Sequence, residues 1–92
     1  MNIYTISQSV NRGLDTFDSA VVVAESEDAA RLTHPRRNQV WSHGREVWFW
    51  RGTREESRRH EWCRPDEVKV VQIGTALEGE EPGVVCASFN AG

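Results

Sequence analysis

Apolar and polar positions alternate along this chain in short runs, punctuated by Gly, Pro and Asn. Residues 3–10, IYTISQSV, set Tyr4, Ile6 and Val10 in one phase against polar neighbours, the period-two pattern of a strand with one covered face. Asn11-Arg12-Gly13 reads as a turn, because glycine accepts positive φ and asparagine tolerates it. TFDSAVVVA predicts a second strand, hairpin-paired with the first, and its unbroken Val21-Val22-Val23 predicts cover on both faces and a central place in a sheet. Ser26 can cap a helix whose first turn carries Glu27 and Asp28 at the positive end of the helix dipole. Ala29, Ala30 and Leu32 give that helix an apolar stripe, and Pro35 stops it after about eight residues, since the residue before proline is driven out of the α region.

Beyond the helix, VWSHGREVWFWRG predicts a third strand over 46–51, with Val40 and Trp41 extended before a turn at Gly44. TREESRRHEWCRPDE is polar and reads as loop or a single helical turn. VKVVQIG (68–74) and VVCASF (84–89) are two further strands joined by the acidic loop TALEGEEPG. Strand, strand, helix and three strands predict an α+β fold: a mainly antiparallel sheet of about five strands, in the order β-β-α-β-β-β, with one short helix on one face. With 92 residues this is one domain, residues 1–92, and no separate cofactor domain can be accommodated.

Composition adds little until charge is followed along the chain. Residues 1–30 set Arg12 against five carboxylates, a balance of -4; residues 31–64 set nine arginines against four glutamates, +5; residues 65–92 set Lys69 against five carboxylates, -4. The net charge of -3 therefore conceals a basic middle between acidic ends, and all four tryptophans lie in that middle. Apolar runs fall well short of the roughly 20 residues needed to span a bilayer. The opening MNIYTISQSVNRG has neither a basic nor an apolar signal region, so a cytoplasmic protein is expected, with Cys63 and Cys86 as reduced thiols.

The basic middle is where candidate chemistry concentrates. Ten of the eleven Lys and Arg residues are arginine, the cation that pairs bidentately with carboxylate or phosphate and stacks on aromatic planes. Trp and Arg also dominate binding hot spots, which selects Trp41, Arg45, Trp48, Trp50, Arg51, Arg54, Arg58, Arg59, Trp62 and Arg64 as a candidate binding surface. Strand alternation puts Trp48 and Trp50 on one face and Val47 and Phe49 on the other. Val47 and Phe49 make the better core pair, having no polar atom, which leaves the indoles outward. The alternative is that the indoles are core and the arginines a solvated rim, although a two-layer domain with one short helix has little interior for four indoles.

No metal site is expected: His60 and Cys63 form one close pair, and His34, His43 and Cys86 are scattered, whereas structural zinc takes four ligands delivered as two close pairs. No cofactor and no catalytic set is expected either. Cys63, beside Arg64 and near His60, is the one nucleophile assembly worth naming, with Arg64 lowering the thiol pKa and His60 as base. Asp15 and Asp18 are read as shaping the hairpin, not as paired catalytic carboxylates.

DTFDSAVVVAESEDAARLTHP, VKVVQIG and GVVCASFNAG resemble segments of short accessory proteins of bacteriophages and prophages, while 36–64 resembles them least. The resemblance implies a protein acting in the bacterial cytoplasm by binding, in the manner of anti-CRISPR and other anti-defence inhibitors, with a host defence protein or nuclease complex as partner. A second reading is a binder of an anionic ligand, single-stranded nucleic acid or a signalling nucleotide, through Trp stacking and Arg–phosphate contacts. A third is a small enzyme built on Cys63. The acidic ends offer a modest nucleic-acid mimic, and an edge strand would admit a homodimer.

Overall fold

The structure, a computed structural model, describes residues 1–58 and 60–91. Among the described residues six strands and one α-helix follow one another as β1 (Asn2–Ser7), β2 (Thr16–Ala24), α1 (Glu27–Arg31), β3 (Gln39–Ser42), β4 (Val47–Trp50), β5 (Lys69–Thr75) and β6 (Gly83–Asn90), with a 3-10 turn at Pro65–Glu67. The fold is α+β, as the sequence pattern predicts. Its strands form two antiparallel sheets, one of four strands in the order β5-β1-β2-β6 and one made of the β3–β4 hairpin. The sixth strand arises because 39–42 pairs fully with 47–50, so the residues read as an extended approach to strand three form a strand of their own.

β2 lies between β1 and β6, the central place that its valine run predicts. Tyr4 and Ile6 face Val22 and Ala20 across the β1–β2 ladder, and this face carries the main core together with Ala30, Trp48, Trp62, Cys63 and Val68. Val22 is fully buried and Val21 only partly, because Val21 belongs to the opposite face, which it shares with Thr5 and the exposed Val71. α1 and the β3–β4 hairpin therefore cover the same side of the larger sheet.

Local chemistry explains where the elements end. β1 stops at Ser7, short of the expected residue 10, and leaves Val10 exposed. The Gln8 amide intervenes: it donates to the carbonyls of Asn11 and Phe17 at 2.8 and 2.9 Å and accepts from the Asn11 N–H at 2.8 Å, closing a wider loop than the expected three-residue turn. The Ser26 hydroxyl caps α1 by accepting from the Ala29 N–H at 3.1 Å, as its position predicts. The helix has 5 residues, shorter than expected, and its only buried residue is Ala30; Leu32 is exposed. Arg31 anchors it from outside by donating to the carbonyls of Pro65 and Val68.

Candidate functional site

The hairpin positions the tryptophans. In its register Gln39 faces Trp50 and Trp41 faces Trp48, so these four side chains share one face while Val40, Ser42, Val47 and Phe49 share the other. The Gln39 and Trp face turns into the main core, opposite to the expected orientation of the indoles, while Val47 on the other face is buried as expected and Phe49 only partly so. Trp48 is 7% exposed and its indole N–H donates to the Cys63 carbonyl at 2.9 Å, which removes the polar penalty that favours leaving an indole outside. Trp62 is buried in the same cluster, and Trp41 is half-buried against it, its ring 5.3 Å from that of Trp48. Trp48 and Trp62 are thus core residues, a correction to their placement on an exposed surface. Trp50, at the end of the row and beyond the edge of the core, remains 38% exposed.

Internal pairing sorts the arginines in the same way. Arg36 holds the buried carboxylate of Glu61 through Nε at 2.8 Å and Nη2 at 3.3 Å, with its guanidinium 5.4 Å from the centre of the Phe17 ring and 5.5 Å from that of Phe89. Arg45 pairs with Glu56 at 3.5 Å. Arg64 pairs with Glu46 at 3.0 Å and Asp66 at 3.4 Å while lying 5.9 Å from the Trp41 ring centre. Among the described residues the side chains of Arg51, Arg54 and Arg58 have no hydrogen bond or ion pair, and all three are exposed. Arg59 lies outside the described residues.

These two sortings meet at one groove of ≈ 600 Å³, lined by Trp50, the exposed Phe89, Arg36 and Arg58 together with Asp15, Glu56, Ser57 and Glu61. Arg51 follows Trp50 directly, and Arg54 comes just after the turn over 51–53. Of the ten residues selected from sequence, the structure brings Trp50 and Arg58 together here and directs Trp48 and Trp62 elsewhere. Sequence reasoning missed Arg36 and Phe89. They are distant in the chain, and the signal available in sequence was only an aromatic in phase at the end of the last strand.

The Cys63 assembly does not form an activated thiol. Cys63 is buried while His60 is exposed, and burial first, then the nearby Glu67 and Asp66 charges, push the thiol up to about 12. His34 is likewise shaped by burial: it is 3% exposed, packs against Phe17, Trp48 and Trp62, and is held down at about 3 by desolvation and the Arg36 charge. Its Nδ1 accepts from the Arg36 backbone N–H at 2.9 Å, so the proton of the neutral ring sits on Nε2. Among the described residues no three His, Cys, Asp or Glu side chains come together as a metal site, and no helix is long and apolar enough to cross a membrane. The chain matches no family model, no curated protein and no solved structure.

Proposed function

We propose that this is a non-catalytic binding protein whose working surface is the Trp50–Phe89 groove with Arg58 inside it and Arg51 and Arg54 beside it, and that it inhibits a defence factor of a bacterial host. The observation that carries the reading is the contrast among the indoles: three of the four are partly or wholly inside, while Trp50 stands at the surface in the groove that Arg58, without an internal acceptor among the described residues, also lines. A surface aromatic sharing a groove with an unpaired guanidinium group matches the residue types that dominate binding hot spots, and an unpaired arginine suits a carboxylate on the partner. The host context rests on the resemblance of both ends of the chain to phage accessory proteins, which supports an activity in the bacterial cytoplasm.

The test is capture from bacterial lysate by the tagged chain and by Trp50→Ala and Arg58→Ala variants, read by mass spectrometry, with infection of host cells expressing each form. One protein retained by the wild type, lost with either variant at unchanged melting temperature, and accompanied by loss of protection of the phage is the expected result. Equal capture by all forms overturns the assignment of the surface. Affinity that is carried by nucleic acid and falls steeply and linearly with log salt overturns the protein-partner reading in favour of single-stranded nucleic acid stacked on Trp50.

A further inference from the structure

β6 is an outer strand of the four-stranded sheet, and charge and proline, the usual guards of such a strand, are missing from it. Residues 83–90, GVVCASFN, are uncharged, and 85–89 are all exposed, Val85 at 57% and Phe89 at 38%. The bulge of β6 against β2 falls at Val85 and leaves 86–90 continuous. The opposite outer strand, β5, opens on Lys69. Charge is gathered instead at the two ends of β6. Before it runs the exposed acidic loop with Glu78, Glu80 and Glu81, none of which makes an ion pair among the described residues. Toward its other end Phe89 shares the groove with Arg58, and neither Arg58 nor Arg54 makes an ion pair among the described residues, against the one carboxylate of Asp15 in that groove similarly without one.

From this arrangement we infer that β6 pairs with β6 of a second copy of this chain, antiparallel about a two-fold axis near the middle of the strand. An axis perpendicular to the sheet makes identical strands antiparallel, keeps the covered faces of both sheets on one side and closes the assembly at two copies. The outward N–H and C=O groups of the strand then find partners, and no like charges meet along it. The same symmetry sets the start of one β6 beside the end of the other, so Glu80 and Glu81 of one copy approach Arg58 of the partner subunit, and the contact is made twice. A parallel pairing would set acidic loop against acidic loop, which is the repulsion that selects the antiparallel one. The dimer goes beyond the proposed inhibition and does not depend on it.

Sedimentation equilibrium of the full chain over a range of concentrations is the experiment. The mass should rise with concentration from one chain to two and stop there, and added salt should return it toward one. Ser88→Lys puts a charge on the exposed strand and should leave single chains throughout, with the melting temperature of the dilute wild type; Ile73→Lys, on β5, should dimerise as the wild type does. Glu80→Lys with Glu81→Lys, in a loop outside the core, should weaken the dimer about tenfold or more and decides the matter if Ser88→Lys disturbs the fold. A mass of one chain at millimolar concentration overturns the inference. Growth past two chains, a dimer indifferent to both the Ser88 and the Glu80/Glu81 variants, or one lost with Ile73→Lys overturns it as well. None of these readouts involves capture of a host protein, so they succeed or fail apart from the proposed inhibition.

Discussion

The indole N–H of Trp48 donates to the carbonyl oxygen of Cys63 at 2.9 Å, a buried bond across 15 residues that fastens the β3–β4 hairpin to the segment leading into β5. It fixes which side of the hairpin is inside, and so which tryptophan is left at the surface. Trp48→Phe keeps most of the apolar contact but orphans the Cys63 carbonyl, at an expected cost of about 1–3 kcal/mol. Trp48→Ala should cost about 3–5 kcal/mol. Urea unfolding measures both, and a Trp48→Ala variant as stable as the wild type would remove the hairpin from the core.

Neighbouring valines in β2 should behave unequally. Val22 is fully buried at the centre of the core face, so Val22→Ala should cost about 2 kcal/mol through lost burial and the cavity left behind. Val21 looks out from the other face, and Val21→Ala should cost less than about 1 kcal/mol. Equal losses in denaturant titrations would contradict the difference in burial between the two positions.

His34 makes stability depend on pH in a definite direction. Burial and the Arg36 charge hold its folded pKa at about 3 against the ordinary value of 6.5, so between these values the unfolded chain binds the extra proton. Its contribution is complete above pH 6.5 and is lost as pH falls toward 3, at about 1.4 kcal/mol per pH unit. Unfolding free energy should therefore drop by about 2 kcal/mol between pH 7 and pH 5, where most carboxylates are still ionised. His34→Gln should flatten that slope; an unchanged slope would assign it to other groups.

The two thiols should separate in a reactivity assay. Cys86 is exposed on edge strand β6, whereas Cys63 is buried and held protonated. At pH 8 a colorimetric disulfide reagent should titrate Cys86 promptly in the native protein and Cys63 only after denaturation. Fast labelling of Cys63, located by peptide mapping, would restore it as a candidate nucleophile.

Substitution on the exposed groove should leave the fold intact. Trp50→Ala and Arg58→Ala remove side chains at the surface, Arg58 without an internal partner, and should change unfolding free energy by no more than about 0.5–1 kcal/mol, while a hot-spot residue costs the complex about 2 kcal/mol or more. A larger loss of stability in thermal melts would make Trp50 a structural residue.

Much of the scaffold was legible because its signals are local. The Ser26 cap and the apolar runs of β2, β5 and β6 depend on a few neighbouring residues each and fall close to where they were expected, whereas β1 and α1 end earlier than their patterns predict. The Gln8 amide, which truncates β1, carries no such signal: its role depends on meeting Phe17 across the loop.

For the candidate site the division is sharper. The sequence by itself determined that Trp48 and Trp50 share a face, since side chains alternate along any strand, and that arginine and tryptophan concentrate in the middle of the chain. Only the tertiary structure decided which face is inside, because that depends on what lies opposite: the Cys63 carbonyl accepts the Trp48 proton and makes the larger, polar-tipped face the better core. It also decided which arginines are paired. Arg36, Arg45 and Arg64 meet carboxylates 25, 11 and 18 positions away, pairings that no local pattern encodes, whereas among the described residues the side chains of Arg51, Arg54 and Arg58 make no ion pair.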